Sequence, residues 1–591
     1  MPKVLAAVPL FLRGARADYS HVAWTMSDRL FPAYVGQLYF GELVLKHWND
    51  PRSTLVLARL PMLLLTLLLG CLVFFYARAI GGGWGGLLST AVYASTPLFL
   101  GYGPLVHTDV TAAAFAVLTL FAAASLWRTP SRTGSFVFGL SLAGALLSKF
   151  SAPILLLALA AFVLTLWLRP LGGPVLGEPE AQSLRARRLR AALAGMACSV
   201  AAVYAFYSVF SWNQPSSILC DIGSVHGATV LRRALMPPWL YLRGMFLVAL
   251  SSSRSTYLLG HSYPQGVWFY FPVLLCLKSP FGFLGLLIVG AGAAAARRVS
   301  GKPGVSVIPK SAAAHWRVLW VSAVVFSAVC MASNLNIGFR HFSVPLVLLI
   351  LMLAPLPRMA GHLRHSVPKT ARLLTVLIAA CAAQCLVTAV AAYPFYLPYA
   401  NAFGSSRSAY ELFNDSNLDW DQALPEVERF VERHGIRTIR LDHYGYTDAA
   451  VTVPNSRIWN CESPAAADGG QWAAVSANLI ADTRHCQWLM QYPHEALGGG
   501  SMYAVRLPAI VPPAGSAGGP PSQELRSGFM GTAEGGDARQ LFLDFVRDPS
   551  VVRRSGDDAE HGMTQWTGRF LQDRPWFERR VLRWLHDGAR Q

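Results

Sequence analysis

Apolar runs long enough to cross a bilayer recur between residues 55 and 393, separated by short polar stretches. The pattern predicts spans near 55–76, 84–101, 110–127, 134–148, 153–168, 190–210, 267–296, 315–333, 341–356 and 372–393, about ten helices. Lys149 and Pro153 set a break between the two short spans 134–148 and 153–168. After Tyr393 the pattern changes. Glu426–His434 has helical spacing and stops at Gly435, while Thr438–Leu441, Trp472–Val475 and Ser501–Leu507 read as short strands. The predicted fold class is an all-α polytopic membrane protein with a small α/β extracytoplasmic domain.

The domain reading follows. Residues 1–54 are a juxtamembrane segment, 55–393 the transmembrane body and 394–510 the α/β domain. Residues 511–537 form a Pro/Gly/Ser linker and 538–591 an amphipathic tail, the latter carrying Phe542, Phe545, Trp566, Trp576 and Trp584 among charges.

Composition removes the other classes. Of 591 residues, 53% are hydrophobic and 14% charged, where a soluble chain has about 25% charged residues. A net charge of +18 raises the question of nucleic acid, and the positions of the cations answer it. One set of alternate loops holds seventeen Lys and Arg, among them Arg128, Arg132, Arg169, Arg317 and Arg364; the other set holds six, namely Lys149, Arg232, Arg233, Arg243, Arg254 and Arg340. The positive-inside rule puts the first set in the cytoplasm, so residues 101–109, 149–152, 211–266, 334–340 and everything after 393 face outside. A nucleic-acid patch would gather on one soluble face, and these cations do not. The expected setting is a bacterial inner membrane with the C-terminal domain in the periplasm. The same alternation places residues 1–54 outside with no crossing segment before them, which leads to the expectation of a further helix upstream of Met1.

Candidate chemistry collects on the outer side. Asp109 opens a span after His107 and Thr108. Its plain role is an N-cap; its functional reading is a carboxylate facing a membrane cavity. Lys149 stands between two apolar helices, where snorkelling is the plain alternative. Lys278, about eleven residues into the run that begins at 267, is expected near mid-membrane facing a cavity or a partner. Arg340 and His341 together suit a phosphate, with lipid-headgroup contact as the alternative. Most cysteines fall in spans and read as small apolar packing residues. Cys461 and Cys486 both fall in the outer domain, an oxidising place, and are a disulfide candidate. No Cys/His spacing suggests zinc.

Several stretches resemble one family in the same order along the chain. Pro2–Phe11 is similar to the tail of a His-Pro-Pro-Leu-x-Lys-Leu-Leu-Ala-Ala-Leu-Pro segment, and Ala58–Thr66 to the start of the span after it. Trp268–Pro280 is similar to a Tyr-Tyr-Phe-Pro…Lys-Thr-Pro stretch, Asn336–His341 to Asn-Ile-Gly-Tyr-Arg-His, and Asp415–Gln422 to Asp-Ser-Asn-Leu-Asp-Trp-Gly-Gln, with Asp421 where that motif has Gly. These resemble bacterial members of glycosyltransferase family 39, the GT-C superfamily of dolichyl-phosphate-mannose–protein mannosyltransferases and the lipid A aminoarabinose transferase. The likeness runs from residue 2 to about 508.

The resemblance implies inverting transfer of a hexose or related sugar from a polyprenyl-phosphate carrier. The acceptor would be a protein, lipid or glycan at the outer face, the membrane lipids are further partners, and no nucleic acid is expected. Asp109 matches the family's second acidic residue and would orient the acceptor or a divalent metal, should one be used. Arg340, Lys149 and Lys278 would hold the phosphate, supported by His107 and His341. The family's main acid lies in the first outer loop, expected upstream of residue 1. Two alternatives remain at this point: a non-catalytic relative that only binds lipid-linked sugar, and a transporter or flippase for it.

Overall fold

The computed structural model describes residues 1–20, 40–171, 178–211, 229–250, 255–300, 307–404, 408–445, 449–459, 461, 472–481 and 486–507. The predicted linker 511–537 and tail 538–591 lie outside the described residues. The chain divides into two compact units. The first is Met1–Arg13, Val56–Thr256 and Pro264–Ser406; the second is Gly14–Leu55, Tyr257–Tyr263 and Arg407–Gln591. The sequence-based boundaries at 54 and 393 differ from this division: residues 394–406 go with the helical unit and 257–263 with the other.

The first unit is helical. In chain order its helices are α1 (Pro2–Leu12), α2 (Pro51–Ala94), α3 (Pro97–Tyr102), α4 (Thr108–Arg128), α5 (Arg132–Ser148), α6 (Ile154–Leu168), α7 (Glu178–Ser211), α8 (Thr229–Leu250), α9 (Tyr270–Lys278), α10 (Phe281–Ser300), α11 (Ala313–Ala332), α12 (Ser343–Leu351), α13 (Pro355–Ser366) and α14 (Pro368–Ala391). Among the described residues, six stretches are long and apolar enough to cross a membrane: Pro51–Ala94, Thr108–Arg128, Pro179–Ser211, Lys310–Ala332, Phe339–Ser366 and Pro368–Ala391. The bent pair Tyr270–Lys278 and Phe281–Ala295 makes a seventh if counted as one span.

Each of the ten predicted runs has a helical counterpart, though not always as one straight span. α5 and α6, with 17 and 15 residues, are shorter than the ~20 residues of a usual span. The run 84–101 is a separate helix: α2 breaks at Gly82 (φ 76°, ψ −172°), a backbone state that glycine reaches without steric cost, and its second half folds back on the first, so that Tyr93 Oη donates to Thr66 O at 2.8 Å. The run 267–296 is not one straight helix. It bends by 116° at Ser279, which is extended (φ −107°, ψ 146°) because the ring of Pro280 disfavours helical geometry in the residue before it. α8 falls in the loop read as 211–266; its Pro237 and Pro238 and its arginines hid it.

α4 is the enclosed helix of the bundle. Its first turns bury Asp109, Val110, Thr111, Ala112, Ala113 and Ala114. Small side chains let neighbouring backbones approach closely, which drives helix association where lipid offers no hydrophobic gain.

The second unit holds β1 (Thr256–Leu258), β2 (His261–Tyr263), α15 (Leu424–Arg433), β3 (Ile439–Asp442), β4 (Ser456–Ile458), β5 (Trp472–Ser476), β6 (His494–Leu497) and β7 (Met502–Arg506). The larger sheet has the order β4-β3-β5-β7-β6. β3 runs parallel to both neighbours, with Ile439 opposite Ser456 and Trp472; β7 runs antiparallel to β5 and β6. Leu424, Val427, Phe430 and Val431 recur at helical spacing on α15 and pack on Ile439, Leu441, Ala474, Met502 and Ala504. Gly435 (φ 57°) ends the helix as the sequence predicts. The helix and three strands predicted for this region are all present. β4 and β6 were not foreseen: one is three residues long, the other begins with His494, Glu495 and Ala496 exposed.

The motif Asp415–Gln422 is built into this unit. Buried Asp419 accepts from Ser476 Oγ (2.6 Å) and from the Asp421 amide (3.0 Å). Asn478 Nδ2 donates to the carbonyls of Asp415 and Asp419 (3.2 and 3.1 Å). Asp421 Oδ1 receives His443 Nδ1 (2.7 Å) and the Gly445 amide (3.0 Å). Cys461 and Cys486 form the disulfide read from their location, with a Cα–Cα separation of 5.4 Å.

Candidate active site

Five of the six polar residues singled out in the helical body meet at one end of the bundle. α4 begins at Thr108, two residues before the predicted start at 110, so His107 is its N-cap and Asp109 lies in its first turn. The expectation of Asp109 as N-cap is corrected accordingly. Lys149 is the C-cap of α5, extended at φ −153°, ψ 137°. Arg340 and His341 lie on the short turn Phe339–Phe342 that leads into α12. Stacked rings brace that turn: Phe271 on Phe342 at 5.5 Å and Phe339 on Phe342 at 6.0 Å. These three phenylalanines are buried. The sequence reading missed their supporting role, although apolar residues alternating with a cation pair were the signal for it.

Asp109 is 1% exposed and central to the group. Its Oδ1 contacts Lys149 Nζ. Its Oδ2 lies 2.5 Å from His107 Nδ1 and 3.8 Å from the Arg340 guanidinium. Its backbone carbonyl accepts from Ser343 Oγ at 3.3 Å, a contact no sequence pattern announced. Arg340 also contacts His107 Nε2, and Lys149 Nζ lies 3.3 Å from His341 Nδ1.

These pairings fix both imidazole tautomers. Guanidinium and ammonium groups only donate. His107 Nε2 must therefore accept from Arg340, and its hydrogen sits on Nδ1, donated to Asp109. The Asp109 amide lies 3.3 Å from the same nitrogen; the 2.5 Å carboxylate contact is the one that takes the proton. By the same argument His341 Nδ1 accepts from Lys149, so its hydrogen sits on Nε2. That buried nitrogen has no hydrogen-bond partner among the described residues. With both histidines neutral, the group carries two permanent cations against one carboxylate. It thus holds one surplus positive charge and one oriented N–H donor.

Lys278 is placed differently. It ends the short helix α9, and its Nζ donates to the carbonyl of Leu397 at 2.6 Å. Asn401 binds the same break, through its amide to Leu277 O (2.8 Å) and Nδ2 to Ser279 O (3.0 Å). The run expected to be straight bends by 116° beside Lys278, and the partner expected of Lys278 is the Leu397 carbonyl, through which it holds the 393–404 segment to α9.

The opposite end of the bundle is basic. Ser125, near the end of α4, pairs with buried His315 of α11 (3.2 Å), and the Arg317 guanidinium binds the Thr165 carbonyl near the end of α6 at 3.2 Å. Arg128, Arg132 and Arg169 lie at that end too. The two ends of the unit thus differ in chemistry as the loop charges predict.

Residues 52–173 match the family described as dolichyl-phosphate-mannose-protein mannosyltransferase. Among solved structures, a similar chain is ArnT from Cupriavidus metallidurans in the apo state, at 13% identity over 86% of this chain and 94% of that one, with a TM-score of 0.26. A likeness that distant carries no argument about the site. No curated protein matches. The segment that supplies His107, Asp109 and Lys149 is thus similar to the dolichyl-phosphate-mannose–protein mannosyltransferases, which bears out the resemblance over that stretch.

Proposed function

We propose that this protein transfers a hexose or related sugar from a polyprenyl-phosphate carrier to a protein, lipid or glycan acceptor at the outer face of a bacterial inner membrane. One observation carries the reading: a buried group with surplus positive charge and an uncommitted N–H donor, built where two helix ends meet a cationic turn. Such a site favours an anion rich in oxygen acceptors. The basic opposite end supports an outward orientation for it, and the residues after 393 belong in the periplasm on the same rule.

In the transfer, the acceptor oxygen attacks the sugar's anomeric carbon while the bond from that carbon to the phosphate oxygen breaks. Negative charge grows on the departing phosphate. Arg340 and Lys149 offset it, and His341 Nε2–H donates to it. Asp109 faces Lys149 through Oδ1 and His107 through Oδ2, so its part is to hold both in place. The acceptor's proton leaves to a base outside these five side chains.

The test uses the full chain in detergent micelles, with a prenyl-phosphate sugar as donor. Arg340→Ala should weaken carrier binding by about tenfold to a hundredfold, the worth of a charge-assisted hydrogen bond, with little loss of folding. Unchanged affinity removes Arg340 from the site. His341→Gln, which keeps an N–H donor, should outperform His341→Leu. Carrier bound but never transferred favours a binding-only protein, and carrier moved across vesicles with no acceptor modified favours a flippase.

A further inference from the structure

The Cys461–Cys486 pair has a third neighbour that no disulfide requires. Asp442, at the carboxyl end of β3, is 5% exposed, and both cysteines are fully buried. One Asp442 carboxylate oxygen and the two Sγ atoms all lie within 4.8 Å of one another. The three residues come from separate stretches, each fixed by the backbone. The Trp459 amide donates to Leu441 O (3.0 Å), which continues the pairing of β4 with β3 and sets Cys461 two residues on. Trp488 Nε1 donates to Cys461 O (3.0 Å), and the Cys486 amide donates to Leu479 O (3.4 Å). None of these bonds passes through the sulfurs.

We propose that, once the disulfide is reduced, the two thiolates of Cys461 and Cys486 and the carboxylate of Asp442 hold one thiophilic divalent cation of the zinc class. In the reduction, a dithiol closes to its own disulfide and passes two electrons and two protons to the Cys461–Cys486 bond, which opens to two thiols. The cation then displaces both thiol protons and bonds both sulfurs. Thiolate and carboxylate are both zinc ligands, at about 2.3 Å and about 2.1 Å. A tetrahedron of those radii has edges of about 3.7 Å, so the two sulfurs must part from their bonded distance to take two corners; the carboxylate takes the third and water the fourth. Oxidation has the reverse effect: the sulfurs bond to each other and the cation is released. Residues 442, 461 and 486 do not form a short Cys/His pattern, which is why spacing alone showed no zinc.

Cobalt(II) tests this, because its bond to thiolate gives a charge-transfer absorption band. The full chain in detergent is reduced with a phosphine, freed of reductant without oxygen and titrated with Co²⁺; an oxidised sample is titrated beside it. The other cysteines, among them the thiols Cys71, Cys198, Cys276, Cys330, Cys381 and Cys385, are mutated to serine in both samples, so that any thiolate band reports on Cys461 and Cys486. The reduced chain should bind one additional Co²⁺ through thiolate, displaced by Zn²⁺. Asp442→Asn, which keeps the disulfide in the oxidised chain, should weaken that binding by at least the roughly ten- to hundredfold that a supporting residue contributes. No additional thiolate band on reduction overturns the proposal. Equal affinity in Asp442→Asn overturns the carboxylate's place in it.

Discussion

Replacing Lys149 by methionine isolates the central ion pair. Lys149 is 18% exposed and the Asp109 side chain fully enclosed. The substitution leaves a buried carboxylate with a neutral imidazole and with Arg340 at 3.8 Å. Breaking a buried pair from one side costs about 3–5 kcal/mol, because the remaining charge stays out of water. Arg340 still offsets part of that charge, so the expected loss is at the low end, about 3 kcal/mol, or about a hundredfold in the folding equilibrium. Changing both partners, Asp109→Asn with Lys149→Met, removes the stranded charge and should recover most of the loss, leaving a deficit of about 1 kcal/mol. Unfolding of the four proteins in mixed micelles, followed by circular dichroism, gives the coupling as a double-mutant cycle. Losses that add, with no recovery in the double variant, would refute the pairing. Transfer activity should fall in all three variants, since restored stability does not restore the phosphate contact.

Two further outcomes concern the α/β unit. Asp421 sits at φ 63°, so Asp421→Ala should cost about 1–2 kcal/mol for left-handed strain on top of the lost His443 contact; Asp421→Gly, free of that strain, should lie within about 1 kcal/mol of the parent, and equal losses would contradict the account. Burial pushes the Tyr503 phenol up to about 12. The unfolded chain then loses this proton first, so the unit should lose stability as pH climbs from about 10 to about 12; Tyr503→Phe should remove that part of the alkaline transition, and an unchanged profile would clear Tyr503.

The residue pattern was informative where one local rule governed. Continuous apolar runs located the helices, the Lys149–Pro153 break appeared between α5 and α6, and alternation marked three of the strands. It was uninformative where rules competed. From Val267 to Ala296 apolar character is unbroken, yet the ring of Pro280 dictates Ser279 and bends the chain. In α8, two prolines and several arginines disguised a helix. At the site, the residue types were legible and the pairings were not: Asp109 with Lys149, or His107 with Arg340, are contacts of tertiary packing. Lys278 shows the same limit from the other side, since its partner is a backbone carbonyl with no side-chain signature.

The site's residues are far apart along the chain. His107 reaches Arg340 across 233 positions and Lys149 reaches His341 across 192. During synthesis, Asp109 and Lys149 enter the membrane long before the cationic turn exists. A nascent chain that has passed residue 173 holds the carboxylate and the ammonium but neither the guanidinium nor the second imidazole. Competence for an anionic ligand therefore arrives late, with the turn 339–342, and a chain arrested earlier would be inserted yet unable to engage its carrier.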